Sequence, residues 1–126
     1  MGHGAWHATC IVQSVMLNGV TDRTERYLDL LSASQKLVAA NLANADTPGY
    51  KTKTIDFQEE FQSLIKGQQP RTLEAAGLDV KPDGNNVNID RETRLLAENA
   101  IRFNLASTLL RGDFKGIRDA IQEKPS

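Results

Sequence analysis

The sequence predicts an all-α protein built around two long helices, one near each end of the chain. Both ends carry apolar residues at alternating steps of three and four, which is the spacing of paired helices. Aromatic residues make up only 6% of the chain, which is typical of helices that find part of their burial in a neighbour. The 126 residues leave room for one domain. We expect that domain at residues 17–126, with the terminal helices paired as an antiparallel, coiled-coil-like hairpin.

The first long helix is predicted at about residues 21–46. Thr21 or Asp22 can cap its amino end, and the Thr-Pro-Gly run at residues 47–49 should end it. Its apolar face is a heptad seam, made of Leu28, Leu31, Gln35, Val38, Leu42 and Ala45. Further apolar residues beside the seam widen this face, so the helix should contact several neighbours.

The middle segment, residues 47–89, should hold one short helix and otherwise be loosely ordered. Asp56 and Glu59 have the spacing of a capping box, and the apolar residues after them recur on one face until Gly67. A strong turn signal follows at residues 81–85. The short apolar pieces on either side of the turn are residues 78–80 and 87–89. They predict either a loose hairpin or a mobile segment.

The second long helix is predicted at residues 90–122, with Asp90 as its amino-terminal cap. Its seam keeps strict steps of four and three through Leu96, Ala100, Phe103, Ser107, Leu110, Phe114, Ile117 and Ile121. A second apolar row consists of Ala97, Ile101, Leu105 and Leu109. We therefore expect one flank of this helix to pack within the subunit and another to meet a different chain.

The net charge argues against a nucleic-acid binder, and the lack of a catalytic residue pattern argues against an enzyme. The net charge is −1, too weak a field to hold a polyanion. His3, His7 and Cys10 have a spacing that suits a metal on a helix, but three candidate ligands at one end of the chain are a weak signal. No acidic residue is paired with a nucleophile and base in the sequence pattern. We expect no catalytic residue, cofactor, metal or small-molecule substrate.

The most specific stretch of the sequence is residues 39–51, which read AANLANADTPGYK and are followed by Ile-Asp-Phe at 55–57. The small alanines let backbones approach closely, while Asn41 and Asn44 can bond to neighbouring backbone groups where the helix ends. This run resembles the signature of the flagellar rod and hook family. Residues 86–92 and 114–121 resemble its proximal rod members as well.

The resemblance implies a non-enzymatic structural subunit of the bacterial flagellar basal body, in its proximal rod. Such subunits self-assemble through their terminal helices, which pair into the inner layer of a helical tube, and transmit torque. It implies partners among other rod subunits and the basal-body export and ring components. It also implies type III export to the periplasm without a cleaved signal peptide. The alternatives are another rod subunit of the FlgC type and a soluble helical adaptor or chaperone.

On this interpretation the functional residues pack rather than react. The predicted assembly and packing residues are Leu31, Val38, Leu42, Phe103, Leu110 and Ile117. The predicted family-motif residues, which carry the turn out of the inner layer, are Asn41, Asn44, Thr47, Pro48, Gly49 and Tyr50. Residues 1–16 are expected to be a disordered extension, an expression remnant or a misassigned upstream start, with Met16 as the natural first residue. A genuine extension is the alternative.

Overall fold

The fold is a long two-helix hairpin with a short helix and a two-stranded ribbon at one end. The computed structural model describes the backbone of residues 3–122 and the side chains of residues 8–12, 15–16 and 18–122. The elements, in chain order, are α1 (His3–Ala43), β1 (Lys53–Thr54), α2 (Phe57–Ile65), β2 (Leu73–Glu74) and α3 (Ile89–Gln122). The all-α prediction is confirmed. None of the described helices is long and apolar enough to cross a bilayer.

Helix α1 begins much earlier than the sequence predicted. The expected cap at Thr21 or Asp22 is wrong, because the helix runs through this position: Thr24 Oγ1 donates to the Val20 carbonyl, and Asp22 pairs with Arg26 one turn later. No proline interrupts residues 3–43, and the two glycines in this range, Gly4 and Gly19, are tolerated within so long a helix. Residues 3–16 are therefore helical here. That they lie outside the rod domain stays a prediction.

Helix α1 ends at Ala43, slightly before the predicted boundary, and a compact turn follows. The Thr47 amide donates to the Asn44 carbonyl at 3.1 Å, and the Tyr50 amide donates to the Thr47 carbonyl at 3.3 Å. Gly49 has φ +74°, in the region that glycine enters without steric cost. The helix ends before the Thr-Pro-Gly run, as predicted, but three residues earlier than the predicted end at residue 46.

Helix α2 starts where the capping box placed it. The Asp56 side chain accepts from the backbone amides of Gln58 and Glu59, and Gly67 with φ +78° follows the carboxyl end. The helix packs on α1 through aromatic edges, since the Tyr27 ring lies 6.4 Å from Phe57 and 6.1 Å from Phe61 between centroids.

The segment between α2 and α3 contains the predicted turn but not the predicted hairpin. The Gly84 amide donates to the Lys81 carbonyl at 2.9 Å, and the Lys81 amide donates to the Asn85 carbonyl at 2.8 Å. In the described chain the antiparallel pair is instead β1 with β2, where Lys53 faces Glu74. The residues after the turn are not loosely held. Asn85, Asn86 and Val87 are buried, and Asn85 donates to the Asn44 carbonyl directly after α1.

Helix α3 is capped by Asn88 rather than by Asp90, which lies in its first turn. The Asn88 side chain accepts from the Arg91 amide at 3.0 Å. The helix runs antiparallel to α1, because Asn99 contacts Ser34 whereas Glu92, earlier in α3, contacts Asn41, later in α1.

The line of α3 that is buried against α1 is not the predicted apolar seam. It consists of Glu92, Asn99 and Ala106, which are spaced by seven residues. The apolar residues lie beside this line, and Phe103 keeps 44% of its surface exposed. The two polar residues can face α1 because each finds a hydrogen-bond partner there, Glu92 in Asn41 and Asn99 in Ser34.

Candidate functional site

The candidate site is the place where the chain leaves α1, crosses to the middle segment and returns into α3. We call it the junction and define it by Asn41, Asn44, Tyr50, Thr52, Asn85, Asn86 and Glu92. Five of these residues are buried almost completely, although their side chains are polar. Such burial is unfavourable unless each polar group finds a partner.

Asn41 is the centre of the junction. Its Nδ2 donates to the Lys53 carbonyl at 2.8 Å and to Glu92 Oε2 at 2.9 Å. Its Oδ1 accepts from the Lys53 amide and from the Tyr50 hydroxyl, both at 3.0 Å. One amide side chain therefore uses both donors and both acceptors to join α1, α3 and the extended segment at residues 50–54, which we call the exit strand.

Glu92 supplies a buried negative charge to this centre. Besides accepting from Asn41, it forms an ion pair with the neighbouring Arg91 guanidinium, which keeps the carboxylate compensated. The charge is felt by Tyr50, whose hydroxyl bonds to the same asparagine. Burial, and then the negative charge of Glu92, raises the pKa of Tyr50 above its usual 10.0.

Asn85 holds the turn that follows α1. Its Nδ2 donates to the carbonyls of Asn44 at 2.9 Å and Thr47 at 2.8 Å, while its Oδ1 accepts from the Val87 amide at 2.8 Å. Asn44 itself donates from Nδ2 to the Ala40 carbonyl, and its Oδ1 accepts from the Thr47 hydroxyl. The turn is thus fixed both by its own side chains and by a residue 41 positions away.

Asn86 binds the next part of the exit strand. Its Oδ1 accepts from the Thr52 amide at 2.6 Å, its own amide donates to the Tyr50 carbonyl at 3.3 Å, and its carbonyl accepts from the Thr52 hydroxyl at 3.1 Å. Because Asn85 and Asn86 are adjacent, the segment before α3 clamps both the turn and the strand that leaves it.

Two glycines bring the turn after α1 against the turn before α3. A Cβ on Gly84 would lie 3.4 Å from the Gly49 Cα, in van der Waals contact, and the φ of +84° at Gly84 would strain any other residue there. The Gly49 amide donates to the Asp83 carbonyl at 2.9 Å. Lys51 Nζ then donates to the Gly84 carbonyl at 2.7 Å, and Lys81 Nζ to the Ala45 carbonyl at 3.2 Å.

The structure brings together most of the predicted motif residues. Asn41, Asn44, Thr47, Gly49 and Tyr50 all contribute hydrogen bonds or backbone geometry to the junction, whereas Pro48 is exposed at the tip of the turn. Their chemistry is that of amides, a phenol and backbone groups, which fix a geometry. Among the residues whose side chains are described, no group of three His, Cys, Asp or Glu could hold a metal ion.

Sequence reasoning missed the other half of the junction. Asn85, Asn86 and Glu92 were assigned to a turn and to a helix start, yet all three are buried. The available signal was the pair of consecutive asparagines directly after the Asp-Gly turn, since asparagine side chains there can bond to nearby backbone groups.

The predicted packing residues fall into two groups. Leu31 and Val38 are buried between α1 and its neighbours, and Leu42 is half-buried close to the junction. Leu110 and Ile117 on α3 are also half-buried, and Phe103 keeps 44% of its surface exposed. The α3 seam therefore contributes only part of its apolar surface to packing within the chain.

The second apolar row of α3 is still more exposed. Ile101, Leu105 and Leu109 keep 69%, 62% and 58% of their surfaces exposed. On the other flank, Phe114 and Ile121 keep 52% and 76% exposed. We call the exposed residues Phe103, Phe114 and Ile121 the seam row, and Ile101, Leu105 and Leu109 the outer row.

Comparison with known proteins places these features in a family context. A sequence model of the flagella basal body rod proteins matches residues 28–51, which include the end of α1 and the turn. The chain is 32% identical to the flagellar basal body rod protein FlgB of Borrelia hermsii, over 80% of this chain and 94% of the relative. It is 29% identical to FlgB of Salmonella typhimurium, over 75% of this chain and 87% of the relative. FlgB of Yersinia ruckeri is 26% identical over 85% and 96% of the two chains.

Proposed function

Because the chain belongs to the FlgB family of flagellar basal body rod proteins, we propose that it self-assembles through its terminal helices and transmits torque within the rod. The family makes it a structural rod subunit of the flagellar basal body, which assembles with other rod components. A structural subunit has no need of catalysis, and we propose that the chain is not an enzyme.

The observation that carries the self-assembly proposal is the amount of surface that this chain leaves open. Its accessible surface is 9,289 Å². A compact monomer of 13.9 kDa would expose about 6,700 Å². The difference of about 2,600 Å² exceeds the 1,200–2,000 Å² buried in a standard protein interface. An elongated hairpin with exposed apolar rows has the surface of a subunit that is completed by its neighbours.

The junction supports the mechanical part of the proposal. Torque passes through a subunit only if its parts keep their relative orientation. Asn41, Glu92 and Asn85 tie the carboxyl end of α1, the exit strand and the start of α3 through side-chain hydrogen bonds. We propose that the family-motif residues hold the angle at which the middle segment leaves the helix pair.

We also propose the finer features of location and partners that the rod role implies. The subunit reaches the periplasm through the flagellar type III export apparatus, without a cleaved signal peptide, and meets the export and ring components at the base of the rod. A single-domain hairpin rich in local helical contacts has the topology of a protein that folds quickly, which suits a subunit that is assembled after export.

The rod role is tested by placing a carboxylate on the α3 seam in a strain that lacks the native subunit. Phe103→Asp and Leu110→Asp should abolish motility and rod assembly while the chain is still synthesised, because a carboxylate that becomes buried without a partner in the contact between subunits costs several kcal/mol. Arg118→Asp is the matched control, since Arg118 lies on the same helix and is exposed. It should remain motile. A normal rod in the Phe103→Asp strain would contradict the assembly role.

The same strains separate the alternatives. A soluble adaptor or chaperone would give a fixed one-to-one complex and would be absent from purified basal bodies. A subunit of the FlgC type would be replaceable by a FlgC gene but not by a FlgB gene. We expect the chain in purified basal bodies and rescue by FlgB.

A further inference from the structure

We infer that two copies of this chain meet asymmetrically, with the outer row of one α3 packed against the seam row of the next. This inference rests on the proposed self-assembly and adds which surface meets which. The outer row is Ile101, Leu105 and Leu109; the seam row is Phe103, Phe114 and Ile121. Each of these six side chains is at least 44% exposed within the subunit.

The two rows lie on opposite flanks of one helix. With 3.6 residues per turn, their mean directions around α3 are about 170° apart. The line buried against α1 falls between them, at Glu92, Asn99 and Ala106. Within the subunit α1 leaves both rows partly exposed, and no single neighbouring helix can cover both. Each subunit needs two separate contacts along α3.

The rows are also unlike in shape. The seam row presents two phenylalanine rings, which are large knobs. The outer row is aliphatic and is continued along the same flank by Gly112 and Gly116, where an added Cβ would meet nothing within 4 Å. The outer flank thus offers a shallow gap beside its apolar residues. A knob of the seam row fits such a gap better than it fits a second knob.

This arrangement identifies a second copy as the occupant. A surface that pairs with itself closes into a symmetric dimer, whereas two different complementary surfaces on one chain add subunits without limit or around a ring. Both halves of such a contact are present on α3 of this chain. The open surface, about 2,600 Å² beyond that of a compact monomer, is sufficient for two contacts of modest size.

Pairwise cross-linking tests the inference. Cys10 is the only cysteine and is exposed, so Cys10→Ser provides a background in which single cysteines report. Leu105→Cys and Phe114→Cys are introduced separately, one of them in a larger tagged chain, and treated with a short bis-maleimide. Both positions are exposed, so both variants should fold, which circular dichroism checks.

The expected result is a mixed dimer of the two variants at several times the yield of either variant alone, and a ladder of multimers from the Leu105→Cys/Phe114→Cys double variant. Equal yields of 105–105 or 114–114 dimers would overturn the asymmetric contact. Absence of cross-linking from every sample would show that a second copy does not occupy these rows. If Phe103→Asp still abolished motility, the rod role would nevertheless stand. A mixed dimer together with full motility in Phe103→Asp would support the contact and reject its role in the rod.

Discussion

Asn41 fixes the relative positions of α1, the exit strand and α3 through the four hydrogen bonds of one side chain. Its amide joins three segments that are distant in sequence, with Lys53 12 positions away and Glu92 51 positions away. Only a planar side chain with two donors and two acceptor sites at this length can make all four bonds. Aspartate has the same shape but no donor, which makes it the informative substitution.

We predict that Asn41→Asp destabilises the fold by about 3–5 kcal/mol, because the new carboxylate oxygen would face Glu92 Oε2 and the Lys53 carbonyl with no proton between them. The measurement is urea unfolding followed by circular dichroism. The matched control is Asn104→Ala on the exposed surface of α3, which should change stability by less than about 0.5 kcal/mol. Equal effects of the two substitutions on the free energy of unfolding would show that the junction is not a structural centre.

Tyr50 gives the junction a pH dependence. Its pKa is raised in the folded state by burial and then by the charge of Glu92, so the folded protein holds the phenolic proton more tightly than the unfolded chain does. The resulting stabilisation is fully present below the unfolded pKa of 10.0 and is lost as the pH rises through the folded pKa.

We predict that tyrosinate absorbance in a Tyr27→Phe variant, where Tyr50 is the only tyrosine, titrates above 10.0, and that the urea midpoint falls over the same alkaline range. Tyr27→Phe keeps the ring that contacts α2. Adding Tyr50→Phe should abolish that tyrosinate signal and reduce the alkaline loss of stability. Titration at or below 10.0 in the folded protein would show that neither burial nor the Glu92 charge raises the pKa of this hydroxyl.

At the scale of elements, the sequence predicted features that depend on neighbouring residues and missed those that depend on distant ones. The Asp56 cap of α2 was predictable, because a capping box lies within four residues. The burial of Glu92 and Asn99 was not, since each depends on an α1 residue more than 50 positions away. Charged and amide side chains are normally assigned to the surface, and only a hydrogen-bond partner reverses that assignment.

Helix ends were less predictable for a related reason. Asp90 and Asn88 are both good caps by residue type. The choice between them depends on where the buried segment at residues 85–87 ends and the helix can begin. The amino end of α1 was misplaced because Thr21 and Asp22, which are common capping residues, are also tolerated inside a helix that continues through them. The six packing residues were predicted as one set, although the two helices use them differently.

That difference gives a prediction about α1 and α3. Leu31 is 1% exposed, so Leu31→Ala should lower the free energy of unfolding of the isolated subunit by about 2–5 kcal/mol. Phe103 is 44% exposed, so Phe103→Ala should cost much less there, while weakening assembly. The test measures the urea midpoint of each variant monomer and the motility of the strain that carries each variant. A larger loss of monomer stability from Phe103→Ala would mean that the seam row is already covered within the subunit.

At the scale of the whole molecule, packing is concentrated near the junction. The buried residues of the hairpin are Leu30, Leu31, Val38, Asn41, Ala45, Glu92, Asn99 and Ala106. Toward the opposite end, Val15, Met16 and Val20 on α1 are more than half exposed, as are Leu109 and Phe114 on α3. The helices span about 60 Å and 50 Å at 1.5 Å per residue, far longer than the packed region. Stability is therefore expected to fall along the hairpin.

We predict that amide hydrogen exchange in a verified monomer follows this gradient. Residues 28–43 and 89–106 should be strongly protected, because opening them exposes the buried contacts around Leu31 and Asn99. Residues 107–122 should exchange much faster, since isolated helical turns without buried contacts are only marginally stable in water. Peptide-level exchange measured by mass spectrometry resolves these segments. In the same experiment, dimers cross-linked through the outer and seam rows serve as the control. Their residues 107–122 should exchange more slowly than those of the monomer. Uniform protection along α3 in the dilute monomer would show that the hairpin is complete by itself, and its exposed rows would no longer account for assembly.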